Sequence, residues 1–457
     1  MPTPTIDCIL PHVSEPKALL LREIDGWRLH EIRLEESWFW FPYGVGKIAQ
    51  RVNEVLNVCV TVLRHLRADG ERHLCELENH DAGWTPPGEA RWVSREDLDA
   101  LPLAQEEQRT ALLTWFAEQQ DAPLAPERKP WERCGWFAEA SDWIREQLQQ
   151  NGFVPTGPVE QFKAAWDWSS LLKVPTDQGD LYFKADYAKP PSEVVIIRKL
   201  AQRWPQNVPS LVAADEGRRW MLMRDFGSRY LHTLPVESWE EAVHLYARIQ
   251  MSTAQAADEW LALGCPDYRT LALPATVAAI LDDDGFFAVM LPEFSHSSRQ
   301  QIRERLPLLI DRCSELAVTA ISDTLTQQDF YQANFVATED SSFLFFDWSN
   351  AGFSHPFFSL MWMLNYLPEK EEADRQKRVR IRDAYLHSWA GLASLEELER
   401  IFALVQQINP WYQAVRGYRE LPFVDRTKPW GKQMVRWTTS QLENILKIMC
   451  DGIEIPR

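Results

Sequence analysis

The segments L-T-Q-Q-D-F-Y-Q-A-N-F-V-A, Leu325 to Ala337, and F-L-F-F-D-W-S-N-A-G-F-S-H-P-F-F-S-L, Phe343 to Leu360, decide how this chain is read. The first carries D-x-x-x-x-N ahead of a strand turn. The second sets another aspartate at the end of an apolar run. Asp329, Asn334 and Asp347 together supply what phosphoryl transfer requires: a carboxylate to take a hydroxyl proton, and oxygen ligands for a Mg2+ that bridges nucleotide phosphates. Alone, D-x-x-x-x-N is a weak signal, because Asp and Asn both favour turns. Its weight comes from the second apolar run and from a lysine upstream.

Working outward, residues 168–227 read as strand, strand, helix, strand, strand, a small antiparallel sheet carrying one helix. Strand-like S-S-L-L-K-V and L-Y-F-K-A are joined by a polar turn. S-E-V-V-I-I-R-K-L-A-Q-R-W has helical periodicity, and strands follow at Leu211 to Ala214 and in R-W-M-L-M-R-D-F-G. From Glu237 onward the pattern is mostly helical. Toward the other end, Lys17 to Val93 alternates apolar and polar residues around turns at Asp25-Gly26 and Asp69-Gly70, predicting a strand-rich α+β module. S-R-E-D-L from Ser94 signals a helix start, and Glu106 to Gln120 an amphipathic helix. The proline-rich stretch Asp121 to Pro130 reads as a linker, and Trp131 to Asn151 as a helix ended by Gly152.

The chain has 457 residues, more than one hydrophobic core usually supports, so at least two domains are expected. Its formal net charge of −18 argues against nucleic-acid or anionic-membrane partners and fits a neutral or cationic small molecule. The seven cysteines are scattered without a C-x-x-C pair, which suggests a reducing compartment. With no signal-like segment and no apolar run of membrane-spanning length, a cytoplasmic protein is expected.

The block from Asp329 to Leu360 resembles the aminoglycoside phosphotransferase and choline kinase-like family, whose pattern is H-G-D-x-x-x-x-N followed by D-W-x-x-A-x-x-G-x-P-x-x-D-L. Asp329, Asn334, Asp347, Trp348, Ala351, Pro356 and Leu360 match. Upstream, Lys184 and Glu193 stand where that family carries a strand lysine and a helix glutamate, so the similarity covers about Trp168 to Ser440. The resemblance implies an α+β fold with a two-lobed protein kinase-like core: an N-lobe over 161–230 and a helical C-lobe over 231–457. It implies ATP and Mg2+ as cofactors and a small-molecule acceptor with a hydroxyl group, aminoglycoside-like or a metabolite. In that scheme Asp329 is the catalytic base, Asn334 and Asp347 hold Mg2+, and Lys184 contacts the α/β-phosphates and is oriented by Glu193. Met223 and Asp225, in W-M-L-M-R-D-F-G, fall in the hinge that holds adenine. Ser169 and Ser170 either face the phosphates or simply begin a strand.

The chain departs from the pattern at Gln327 and Gln328 for His-Gly, Ser354 for Gly, and Ser359 for the later Asp. Gln and Ser can hydrogen-bond in place of His and Asp. A glycine at position 328, however, can adopt a backbone conformation that a side chain resists. The alternative reading is therefore a kinase-shaped nucleotide-binding regulatory protein with weak or no catalysis.

Residues 1–121 resemble, weakly, the Nudix fold, but the helix G-K-I-A-Q-R-V-N-E-V-L offers only Glu54 where such an enzyme needs clustered glutamates. A non-catalytic domain is expected there, joined to the core by a linker and connecting helix over 122–160. His73, Cys75 and His80 match no common zinc spacing. Asp282 to Asp284 and Glu369 to Asp374 read as solvated acidic loops.

Overall fold

The computed structural model describes residues 4–34, 41–69, 72–120, 128–165, 168–187, 190–340, 342–426 and 428–448. The chain is α+β and divides into two compact units, Met1–Tyr187 and Ala188–Arg457. That cut differs from the divisions read in the sequence. Most of the linker expected from Asp121 lies outside the described residues, as does Gly70 of one predicted turn.

In unit 1 the strands are β1 (Thr5–Ile9), β2 (Ala18–Glu23), β3 (Gly26–Arg28) and β4 (His30–Arg33), then helix α1 (Phe41–Leu56), β5 (Val60–Asp69), β6 (Arg72–Asn79) and β7 (Ala90–Val93). They form one sheet in the order β4-β1-β6-β5, with β1 and β6 parallel, and a second in the order β3-β2-β7. Val45, Ile48 and Val52 repeat at helical spacing along α1, and they pack with Ile6, Cys8, Ile32, Val62 and Leu77 into one core. Helix α2 (Glu106–Gln120) contributes Leu112, Trp115 and Phe116 to another core with Ile9, Leu20, Leu29 and Leu74.

The run W-R-L-H-E-I-R-L-E is not one strand. It breaks at Leu29, whose N–H donates to the Gln108 side chain at 2.9 Å, so β3 pairs with β2 while β4 pairs with β1. Ser94 does not start an α-helix: it lies ahead of a 3₁₀ turn, Asp97–Ala100, and its hydroxyl accepts from the Asp97 N–H at 3.3 Å.

Unit 1 continues through α3 (Trp136–Asn151), which ends at Gly152 in the left-handed region (φ 74°), into β8 (Glu160–Ala165), β9 (Ser169–Val174) and β10 (Leu181–Asp186). These three strands pair antiparallel in the order β8-β9-β10. Gly46 of α1 lies so close to β8 that a Cβ there would collide with the Gln161 carbonyl. The Gln161 amide in turn accepts from the Val62 N–H and donates to the Val62 carbonyl, both at 2.8 Å.

Unit 2 opens with α4 (Glu193–Ala201) and the antiparallel pair β11 (Leu211–Asp215) and β12 (Trp220–Arg224). Helices α5 (Val236–Met251) and α6 (Ala257–Ala262), strand β13 (Asp267–Tyr268), and helices α7 (Leu273–Asp282), α8 (Asp284–Met290), α9 (His296–Glu304) and α10 (Leu306–Ala317) follow. The deciding segments fold as β14 (Thr324–Gln327), β15 (Phe335–Ala337), β16 (Phe343–Phe345) and β17 (Ala351–Ser354). Helices α11 (Phe357–Asn365), α12 (Glu372–His387), α13 (Leu395–Glu420) and α14 (Pro429–Ile448) close the unit. β15 and β16 make a hairpin, while β14 pairs with β17 and β17 with β13.

The acidic run at 282–284 is tied down rather than loose: Asp282 pairs with Arg303, Asp284 with Arg299, and Asp283 caps α8 and accepts from the Tyr418 hydroxyl at 2.8 Å. Among the described residues no helix is long and apolar enough to cross a membrane.

Candidate active site

All four residues of β14 are buried, and the strand delivers the chain to Asp329, which is half-buried. Phe330 turns inward and stacks on Tyr246 of α5, ring centroids 3.8 Å apart, which anchors the loop beside Asp329. A turn closed by the Asn334 N–H on the Tyr331 carbonyl, 2.8 Å, then brings Asn334 back toward Asp329. The Asn334 amide nitrogen donates to the Asp329 carbonyl at 2.9 Å and to its Oδ2 at 3.2 Å. Asp329 Oδ1 accepts from Trp362 Nε1 of α11 at 2.9 Å. The half-buried carboxyl is pushed above the ordinary carboxylate range, by burial first and then by the Asp347 charge; Arg416, Trp362 and Asn334 pull the other way.

Asp347 follows β16 with φ 62° and ψ 59°, a left-handed conformation costly for a residue with a side chain. Its surroundings hold it there. Gln327 Nε2 donates to the Phe346 carbonyl at 2.6 Å and the Asp347 carbonyl at 3.0 Å; Ser349 Oγ donates to Asp347 Oδ1 at 2.8 Å. The next N–H, of Trp348, donates to Glu193 Oε1 of α4 at 2.9 Å, while Trp348 itself is fully buried.

The departures from the family pattern have local explanations. Gln327 holds the Asp347 turn through its amide, and its own N–H donates to the Tyr246 hydroxyl at 2.8 Å. Ser359 Oγ hydrogen-bonds the same hydroxyl at 3.1 Å and donates to the Gln327 carbonyl at 3.2 Å. Ser354 Oγ lies 2.9 Å from Thr326 Oγ1 across the β14–β17 pair. Gln328 is not among the positive-φ residues, so its backbone has no need of glycine. Its side chain occupies the space that Gly352 leaves: a Cβ on Gly352 would collide with Gln328 Nε2 and approach the Tyr268 ring to 2.8 Å.

Unit 2 thus brings together Asp329, Asn334, Asp347 and Glu193. Met223 is buried on β12; Asp225 lies just past that strand, exposed, its Oδ1 accepting from the Gly227 N–H at 2.9 Å. In unit 1, Lys184 is buried on β10, paired in register with Leu171, and Ser169 and Ser170 are buried at the start of β9. Glu54 is engaged by Arg51 and Gln50 on the exposed face of α1. His73 meets His65, Cys75 meets Cys8 and His80 meets Thr61, and no group of three metal-ligating side chains occurs among the described residues.

Sequence reasoning missed Tyr246, Gly352, Trp362 and Arg416. Trp362 alone had a local signal, lying one helical turn beyond Ser359 on the segment after the second aspartate.

The sequence matches no protein-family model and no curated protein. Among solved structures, the chain is similar to choline kinase from Cryptosporidium parvum Iowa II, with TM-score 0.47 and 11% identity over 68% of this chain and 97% of that one. It is also similar to a Plasmodium vivax ethanolamine kinase, TM-score 0.47 and 10% identity over 76% and 96%. A third is macrolide 2'-phosphotransferase from Brachybacterium faecium, TM-score 0.43 and 13% identity over 66% and 97%.

Proposed function

We propose that the chain is a Mg2+- and ATP-dependent phosphotransferase that moves the γ-phosphoryl group to a hydroxyl of a small molecule, with Asp329 as general base. The observation that carries this is the pinning of Asn334 onto Asp329. The Asn334 amide nitrogen faces two Asp329 oxygens, which leaves the amide oxygen on the side away from the base. An amide oxygen and the Asp347 carboxylate are hard oxygen donors of the kind Mg2+ takes, so the residues present fit that ion. Bound there with the nucleotide, Mg2+ would neutralise phosphate charge.

The chain's own residues account for the rest. Each Asp329 oxygen holds one N–H donor, and an ionised carboxylate has about four lone-pair sites, so each retains capacity to accept an incoming hydroxyl proton. The raised proton affinity of Asp329 makes it a better base than an ordinary carboxylate. Lys184, Ser169 and Ser170 as phosphate contacts, and Met223 and Asp225 as adenine contacts, belong to the same proposal, as do the two-lobed core and the non-catalytic first domain. The regulatory alternative drew its motive from Gln327 and Gln328, and both side chains are accommodated without disturbing Asp329.

The test is ATP turnover with Mg2+ against a panel of choline, ethanolamine, aminoglycosides and macrolides, comparing wild type with Asp329→Asn. Transfer by wild type and its loss in the variant are expected. Nucleotide binding with no turnover on any acceptor would instead favour the regulatory protein. Asp347→Ala should abolish Mg2+-dependent nucleotide affinity; unchanged affinity would remove Asp347 from the metal site.

A further inference from the structure

Asp329 is held from one side by a side chain that the phosphotransfer scheme does not use. Trp362 donates its only polar hydrogen to Oδ1 at 2.9 Å. Its ring carries on its face the guanidinium of Arg416, 4.3 Å from the centroid, and that guanidinium also lies 5.8 Å from the ring of Trp437 on α14. Trp362 and Trp437 meet edge to face at 6.0 Å. Arg416 is 3% exposed and is fixed from its own helix, donating to Gln413 Oε1 at 3.0 Å and pairing with Glu420 at 3.7 Å.

We infer that Trp362 and Arg416 are a positioning pair for Asp329: the indole N–H fixes one carboxylate oxygen, and the guanidinium clamped on the ring keeps the indole from turning away. A tryptophan has only two side-chain torsions, and a cation held on its face resists rotation about both. Asn334 fixes the second oxygen, so the two donors together set the plane of the carboxylate. That plane decides where a hydroxyl must lie to surrender its proton, and an error of an ångström there is costly. This inference rests on the reading of Asp329 as base, while the hydrogen bond and the stack stand in the geometry independently.

Trp362→Phe keeps a ring for Arg416 and removes only the N–H. Arg416→Lys keeps a charge for Glu420 and removes the planar stack. In turnover of Mg2+-ATP, with water or any active member of the acceptor panel, both variants should lose about ten-fold or more in kcat, with the KM for ATP unchanged. The double variant should be little worse than Trp362→Phe alone, because Arg416 acts through the indole. Wild-type kcat in Trp362→Phe overturns the inference; so do losses that multiply in the double variant.

A second measurement needs no activity. The indole N–H resonance of Trp362, identified by its disappearance in Trp362→Phe, should shift in Asp329→Asn and in Arg416→Lys. An unresponsive resonance overturns the pair. A responsive resonance in a protein that transfers no phosphate upholds the pair and sinks the phosphotransferase reading instead.

Discussion

Asp7 and Glu76 of unit 1 and Asp329 of unit 2 are all carboxylates drawn out of water, and they are held in opposite ways. Asp7 in unit 1 takes a two-pronged contact from Arg72 at 2.7 and 2.8 Å plus a third hydrogen bond from Gln108 at 3.0 Å. Glu76, 2% exposed, is held by Arg64, by Trp115 Nε1 at 2.6 Å and by Gln119 at 3.3 Å. Asp329 has no cationic nitrogen within 4.0 Å among the described residues, and Arg416 reaches it only through space. A carboxylate forked by arginine is charge-compensated and its lone pairs are used, so it fastens strands together. One held by two neutral donors keeps its proton affinity and a place for a substrate. The same residue type is charge-compensated in one case and left with neutral donors in the other because of who donates to it.

The comparison breaks most visibly at Asp329 itself. Asp329→Asn should lower turnover by about 10²–10⁴-fold while leaving thermal unfolding unchanged or raised, since a partly desolvated charge is removed. A large loss of stability in that variant would place Asp329 with the structural carboxylates. Glu76→Gln should do the reverse for unit 1. It leaves the Arg64 guanidinium, itself largely buried, with only Glu118 as counter-charge, and should cost about 3 kcal/mol in chemical denaturation. A change under about 0.5 kcal/mol would mean the Arg64 pair contributes little net stability.

Gly352→Ala lies between these extremes. The new methyl meets the Gln328 side chain, which precedes Asp329, and the Tyr268 ring, so it should cost about 1–3 kcal/mol of stability and also slow turnover. Adding Gln328→Gly should restore most of both. If it restores neither, the Tyr268 ring is the obstacle and Gln328 has no share in it.

Asp329, Asn334 and Asp347 of the candidate site stood out in the sequence because they lie close together along the chain, beside apolar runs that form β14, β15 and β16. Helix α2 was read to its ends for a similar reason: Glu106 to Gln120 has no Gly or Pro, and its buried residues Gln108, Leu112, Trp115 and Phe116 recur at helical spacing. Strands β3 and β4 could not be separated, because the break between them is made by Gln108, 79 residues away. Trp362 and Arg416 were invisible as a pair for the same reason, since Arg416 has no local signal and α13 meets α11 only in the fold. Gln328 looked forbidding for the backbone conformation a glycine there could adopt, but its φ is not positive, and the missing side chain of Gly352, 24 positions later, leaves room for its amide. Local patterns carry donors and turns; the partner that decides a buried group's role comes from elsewhere in the chain.

His355 buries a titratable group in a third way, and its effect shows only as pH falls. His355 is 1% exposed between Phe357 and Phe358, and its Nδ1 accepts from the Phe357 N–H at 3.3 Å. Burial pushes its pKa down to about 3, whereas in the unfolded chain it titrates near 6.5. The unfolded state therefore binds the proton first. Its contribution to stability is fully present above pH ~6.5 and is lost as pH falls toward about 3, at up to ~1.4 kcal/mol per pH unit. Carboxylates protonating over the same range add their own slope, so the informative quantity is the difference from a variant that cannot titrate. His355→Asn retains an acceptor near the Phe357 N–H and removes the imidazole. Its unfolding free energy should start lower at pH 7 and fall less steeply between pH 6 and 4, by close to one proton. Parallel curves for the two proteins would mean that His355 is reached by water and protonates in the folded state as freely as in the unfolded chain.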